Sequence, residues 1–438
     1  MKKLLFGLLL VSLNSCFIGP KVLMDVTVPN VIAAGALDKG FPVLAYYDDS
    51  EGLITVKRNF YVLAGKEKLG PYDDLGPLNF SLDGKLVLFS AYTGGAWYVI
   101  TVTPKGDAGK AGPYDTSIWR FAFSSNGGAW AYVASIEGKY YVISNRGKAG
   151  PYGYTDSLIL SPDGSRLAYR ADTEGATFVF DKDKRVGPYE NVKHLRISPD
   201  GKNLAYIARI GGKSFVFAGV EQAGPFEQTK YTDSEIAFSP DSKTLAYRAK
   251  IDGQFYVING DDRAGPYGEA WDVVFAPVGR TLAYGAKIDG SSYVVAGGEK
   301  AGPYEEAGLA TFSADGKSLA YAARSEGKIY IFNGTEKTGP YDMVWDLAFA
   351  PDGKKLAARI VSDGNWHIIS GADKVLSSEQ LYEVYRELVF SPDGTSLSYW
   401  EYIDERWYNK VLLDGGSYPG SIIDGAVFYV KDSKLYRK

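Results

Sequence analysis

The sequence predicts an all-β protein built from a repeated four-stranded unit, and three observations lead there. A Gly-Pro-aromatic signature begins at Gly70, Gly112, Gly150, Gly187, Gly224, Gly265, Gly302 and Gly339, at spacings of 42, 38, 37, 37, 41, 37 and 37 residues. Inside each unit an apolar segment, an Asp-Gly corner and a Leu-Ala-Tyr run recur in the same order. The composition agrees: 33 Tyr, 21 Phe and 51 Gly stand beside 3 Met in 438 residues. Aromatics suit a pleated surface and Gly supplies the positive φ of tight turns.

The unit opens on an apolar strand such as Asp346-Leu-Ala-Phe-Ala350. A corner follows, Ser161-Pro-Asp-Gly164, Ser198-Pro-Asp-Gly201, Ala350-Pro-Asp-Gly353 or Ser391-Pro-Asp-Gly394, with looser forms at Asp83-Gly84, Asp241-Ser242 and Asp315-Gly316. Asp-Gly favours tight turns, so the corner joins two antiparallel strands. The second strand is Leu-Ala-Tyr, as at Leu167–Tyr169, and a second turn comes at Glu174-Gly175, Asp252-Gly253 or Glu326-Gly327. The third strand is exemplified by Phe255–Asn259, and the fourth leads into Gly-Pro-Tyr. Four strands of about six residues nearly fill the period and leave no room for a helix.

A lone four-stranded meander cannot cover both of its faces, so neighbouring units must stack, and radial stacking gives a β-propeller. Degenerate copies that place Tyr382 and Tyr418 at the aromatic position bring the count to ten. The Ser-Pro-Asp-Gly-Lys-x-Leu-Ala-Tyr corner resembles the WD-like Pro-Asp-Gly repeat of TolB-type propellers and of prolyl-oligopeptidase-like proteins, over residues 36–438. Ordinary WD-repeat signatures are absent, since Trp271-Asp272 and Trp345-Asp346 lie on another strand. Ten units form either one large ring or two smaller ones divided near 227–234, where Gln228–Asp233 lengthens one spacing. A final half-unit, Phe428–Tyr436, is expected to meet a strand near Val22–Val28 and latch the ring.

Ahead of the propeller, Lys2 and Lys3 precede an apolar run, Leu4–Leu13, with the form of a secretory signal. Leu13-Asn14-Ser15-Cys16 resembles the lipobox of bacterial lipoproteins. That resemblance implies a signal over 1–15, a lipid on Cys16 and a tether over 16–30; with Phe17 and Ile18 next, it implies the outer membrane. Cys16 is the only cysteine, so no disulfide forms within the chain.

The net charge is −4, from 48 basic and 52 acidic residues, which gives no global attraction for nucleic acid. One Cys and two His leave little for a soft-metal site. Asp181-Lys-Asp183 and Asp261-Asp262 lack the rest of a calcium loop, so neither metal nor cofactor is expected. There is no Gly-x-Ser-x-Gly elbow, and His194 and His367 each fall within a repeat strand. The recurrent corner aspartates are read as turn chemistry. Arg170, Arg209, Arg248, Lys250, Lys287, Arg324 and Arg359 are expected to pair with the turn acids Glu174, Asp252, Asp289 and Glu326, or else to dock an acidic partner.

Function is sought where the repeats differ. The start of the innermost strand carries Trp119-Arg120, Lys193-His194, Trp271-Asp272 and Trp345-Asp346. In a propeller this strand borders the channel, and large aromatics beside charges are enriched at interfaces. Either these residues contact a ligand or partner, or the tryptophans wedge between blades. The resemblance to TolB-type propellers implies a non-catalytic envelope scaffold that engages another envelope protein. The alternative is a module that stacks glycans on its tryptophans.

Overall fold

The computed structural model describes residues 21–25, 31–37, 41–51, 56–118, 121–227, 236–371, 373–378, 388–391, 393–403, 406–413, 416–423, 426–431 and 434–437. Cys16, Trp119, Arg120 and all of 227–234 but its first residue lie outside these. Among the described residues every regular element is a strand.

Ten antiparallel sheets, termed blades one to ten, follow in chain order. Eight are four-stranded meanders: blade one over 31–72, blade three over 121–152, and then 154–189, 191–226, 236–267, 269–304, 306–341 and 343–378 for blades four to nine. In blade two (74–114) the first strand is split into Asp74–Leu75 and Asn79–Phe80, both paired with Val87–Thr93. Blade ten (389–423) is extended by Ala426–Lys431 and Lys434–Arg437, and then by Lys21–Asp25, into seven strands.

First strands touch first strands from blade three through blade ten, so they are the innermost. Blades five and six are in contact like their neighbours, and Val31–Leu37 of blade one packs on the strands of blade ten. The sheets therefore make one ring. The C-terminal half-unit pairs with the N-terminal strand, Lys21 opposite Arg437 and Asp25 opposite Lys434.

The core lies between blades. Val179 and Tyr189 of blade four pack with Val192, Leu195, Tyr206 and Ala208 of blade five, and equivalent clusters join blades six and seven and blades eight and nine. The alanine of Leu-Ala-Tyr is fully buried at Ala168, Ala205, Ala246, Ala283 and Ala320, where a larger side chain would push the sheets apart.

At five junctions two recurrent tyrosines meet across the sheets. The hydroxyl of a Gly-Pro-Tyr residue bonds that of the next blade's Leu-Ala-Tyr: Tyr114 with Tyr132 and Tyr152 with Tyr169 at 2.8 Å, and Tyr189 with Tyr206, Tyr267 with Tyr284 and Tyr304 with Tyr321 at 2.9 Å. Each pair joins two sheets and satisfies two largely buried hydroxyls, for about 1 kcal/mol net. Between blades five and six the first partner is Phe226, so only the rings of Phe226 and Tyr247 meet.

The glycine of Gly-Pro-Tyr is required by space as well as by its φ of +138° at Gly187: a Cβ there would lie 3.1 Å from the Thr177 carbonyl and 2.9 Å from the Phe178 ring. The corner is held by its serine. Fully buried Ser161 donates to Asp163 Oδ1 at 2.5 Å and accepts from the Arg166 N–H at 2.9 Å, while Asp163 accepts from the Ser165 N–H. Ser198, Ser239, Ser313 and Ser391 repeat the arrangement. The aspartates thus serve the turn. On the outer strand, Lys68, Lys110, Lys148, Arg185, Arg263 and Lys337 sit over third-strand rings at 3.5–3.8 Å. Charges along that edge discourage pairing with a further strand.

Candidate binding recess on the inner strands

The described positions among those singled out in the sequence share one backbone device. In blades four, five, seven and eight the first strand carries a β-bulge, with ladder shifts between Asp156 and Ile159, Lys193 and Arg196, Trp271 and Val274, and Gly308 and Thr311. One residue of each bulge is left-handed: Ser157 (φ 55°), His194 (57°), Asp272 (53°) and Leu309 (57°). In blade nine the shift falls between Val344 and Asp346. A bulge re-aims side chains that regular alternation would send elsewhere, which is why these residues escape the repeat consensus.

The residues do different things. Trp271 Nε1 donates to the Ala307 carbonyl of blade eight at 2.7 Å, and Asp272 Oδ2 accepts from the Leu309 N–H at 3.0 Å. Both polar groups are engaged by the next blade. Burial pushes the Asp272 carboxyl above its ordinary range, opposed by the Leu309 N–H and the charge of Arg248. Asp346 is ion-paired with buried Arg359. Trp345 packs against Trp366 with ring centroids 6.0 Å apart, and its buried Nε1 has no hydrogen-bond partner among the described residues.

The carbonyl that Trp271 reaches belongs to a recurring position, the second residue of the next blade's first strand. In blade four Arg170 donates to the Val192 carbonyl at 3.1 Å, and in blade six Arg248 donates to the Ala270 carbonyl at 2.6 Å. Blade seven has Gly285 where those blades have arginine, and a Cβ there would lie 2.0 Å from Trp271 Nε1. Loss of the arginine side chain makes room for the indole, which takes over the same acceptor.

This corrects the expected charge pairing. Arg170 and Arg248 reach the next blade, and Arg170 also meets Asp156 at 3.1 Å on its own first strand. Arg209 pairs with Glu190, Lys250 with Glu227 and Arg324 with Glu306, all acids on or just ahead of inner strands. The turn acids Glu174, Asp252, Asp289 and Glu326 have φ between 49° and 55°, followed by left-handed glycines. Two successive positive φ values define the hairpin turn they make. Glu174 pairs with Arg185.

His194 stands in a recess of about 950 Å³ on the inner strands. The first strands of blades three to five line it. Lys193, His194, Arg196 and Arg170 face one carboxylate, Asp156, across a floor that includes Ile118, Ile159 and Leu195. The surface is cationic over an aliphatic base, suited to an acidic segment carrying apolar side chains. Asp156, Ser157 and Arg196 carry no mark in the sequence, although Asp156 and Ser157 occupy the repeat positions of Lys193 and His194.

His367 is buried in the third strand of blade nine. Its Nδ1 lies 2.7 Å from Ser377 Oγ, and Lys374 Nζ is 3.4 Å from Nε2. An ammonium can only donate, so Nε2 accepts and Nδ1–H donates to the serine oxygen. That polarity is the reverse of a base that activates a nucleophile. Among the described residues no group of three or more His, Cys, Asp or Glu is arranged to hold a metal ion.

No family model and no curated protein sequence matches the chain. Among solved structures it is similar to an oligogalacturonate lyase in complex with manganese, at 12% identity and a TM-score of 0.37, covering 86% of this chain and 98% of that one. It is also similar to the Dos1 propeller, at 14% identity and a TM-score of 0.36, covering 81% and 96%.

Proposed function

We propose that this protein is a binding ring of the bacterial cell envelope, held to the outer membrane by lipid on Cys16, whose channel recess docks an acidic segment of another envelope protein. The observation that carries the reading is the recess itself: Arg170 of blade four and Lys193, His194 and Arg196 of blade five converge over an aliphatic floor at positions where the repeats diverge. The Leu13-Asn14-Ser15-Cys16 sequence supports the anchor, and the TolB-like corner repeats support a scaffold role. A protein partner is favoured over a glycan because Trp271 is engaged by the next blade and Trp345 rests on Trp366, which leaves neither as an open stacking platform.

Site-specific photo-crosslinking in intact cells tests the docking. A crosslinker replacing exposed Arg196 should yield a discrete protein adduct, whereas one at Val220, exposed on the turn before the outer strand, should not. Identical adducts from both positions, or none from 196, would refute it. Replacing Cys16 with Ser should move the protein from membrane to soluble fraction; retention in the membrane would refute the anchor.

A further inference from the structure

The junction between blades five and six departs from the others in several ways at once. The signature spacing lengthens to 41 residues, and Phe226 replaces the tyrosine that bridges to the next blade at five other junctions. A cavity of about 100 Å³ opens between the two sheets, lined by Ser214, Val216 and Phe226 and by Ala249 from blade six. Ser214 explains the space. It pairs with Phe226 across the sheet, and the residues so placed in other blades are Phe60, Trp97, Tyr140, Phe255, Ile329 and Trp366. Two other blades have small residues there, but Thr177 bonds Asp172 at 2.7 Å and Ser292 the Glu305 carbonyl at 3.3 Å. The Ser214 hydroxyl has no such partner among the described residues.

The polar side of the cavity is cationic. Lys193, Arg209, Arg248 and Lys250 line it, against a single carboxylate, Glu227. Lys250 lies 3.7 Å from Glu227, and Arg209 Nε is 2.8 Å from Glu190 Oε2. That buried Nε is nonetheless misaligned for a hydrogen bond and remains unsatisfied. That Nε is closed off beside Glu190, so a bound carboxylate would meet the outer end of the guanidinium and the Lys250 ammonium, where charge-assisted hydrogen bonds are strong.

We propose that this cavity binds a small organic acid, its carboxylate against Arg209 and Lys250 and its hydrocarbon body on Val216 and Phe226. An apolar cavity of about 150 Å³ accepts benzene; the space here is smaller but open on one side, so it takes the apolar end of a short-chain or single-ring acid while the carboxylate stays at the mouth. The cavity shares Lys193 and His194 with the recess, and titrating acids into the purified protein with no partner present separates a failure here from a failure of partner docking.

The test is calorimetric titration of the full chain with benzoate and hexanoate, beside benzyl alcohol and 1-hexanol as neutral counterparts of similar size. Saturable binding of the acids is expected, with the alcohols at least tenfold weaker. Ser214→Ile installs the residue that blade eight tolerates at Ile329, fills the cavity and should abolish binding while the circular dichroism spectrum is unchanged. Lys250→Met should weaken the acids about tenfold and leave the alcohols alone; it decides the matter if S214I does not fold. Failure of both acids to bind, equal binding of alcohols and acids, or undiminished binding by folded S214I would overturn the proposal.

Discussion

The indole of Trp271 donates to the Ala307 carbonyl at 2.7 Å, doing for blades seven and eight what the Arg248 guanidinium does for blades six and seven through Ala270. Two unlike side chains on different strands serve one acceptor position. The exchange depends on Gly285, and it gives a first prediction. Gly285→Ala should drive a methyl into the indole and destabilise the protein by about 1–3 kcal/mol. The double variant W271D/G285R rebuilds the Asp156–Arg170 pair of blade four and should recover part of that loss. Denaturant titration of the single and double variants measures it; additive losses would sink the exchange.

Phe226→Tyr should stabilise the ring by about 1 kcal/mol. The Phe226 and Tyr247 rings are 5.9 Å apart, the separation found for Tyr152 with Tyr169 and for Tyr189 with Tyr206. A hydroxyl added at 226 would therefore meet that of Tyr247. Conversely, Tyr152→Phe leaves the Tyr169 hydroxyl without its partner and should cost about 1–3 kcal/mol. Opposite shifts in the unfolding midpoint are expected, and no difference between the two variants would contradict the bridge.

Asp272→Asn should be neutral or stabilising at pH 7. The amide oxygen can still accept from the Leu309 N–H, while the burial cost of the carboxylate disappears. A raised carboxyl pKa means that the folded state holds its proton more tightly, so this contribution is full below the unfolded value near 4 and is lost as pH rises through the folded one. The advantage of D272N over the parent should accordingly be larger at pH 7 than at pH 3.5, as read by thermal unfolding at both. The opposite order would exclude burial as the cause.

Stability should fall at both ends of the pH scale. Ser161, with the Ser165 N–H, holds Asp163 down at about 2; Ser239 and then Arg280 lower Asp241, and Ser198 and Ser313 lower Asp200 and Asp315. Their stabilisation is complete above the unfolded value near 4 and drains away as pH drops toward the folded values. Tyr132, Tyr169, Tyr206, Tyr284 and Tyr321 are shifted upward, by burial first and then by the paired tyrosine. Their stabilisation is present below about pH 10 and lost as pH climbs toward the folded values. Tyrosinate absorbance should therefore rise together with unfolding, and five or more tyrosines ionising in a protein with native circular dichroism would disprove the hydroxyl pairing.

Much of the fold is legible because the repeat is written in residues with local conformational demands. Gly187 needs its φ, Asp163 its turn, and Glu174-Gly175 its left-handed pair, and each can be recognised without knowing what lies across the sheet. The pairing of Tyr152 with Tyr169 is less visible, although both tyrosines recur, because nothing local shows that one blade's outer strand faces the next blade's second strand. The site is harder still. The bulge at His194 has no compositional mark, and the Arg209–Glu190 pair joins strands whose register the charges do not reveal. Trp271 stands out as unlike its repeats, yet its role follows from Gly285, an absence fourteen residues away.

Among the described residues Lys21–Asp25 finds its only ladder partner in Lys434–Arg437. During synthesis the interior blades can assemble as soon as each emerges, since every one rests on its predecessor. The opening strand must wait through some four hundred residues of translation before its mate exists. The ladder that latches the ring is thus completed only when the last strand arrives, and a chain stopped just short of Lys434 would leave Lys21–Asp25 without its ladder and Ala426–Lys431 with an open edge, although Val31–Leu37 could already rest on blade ten.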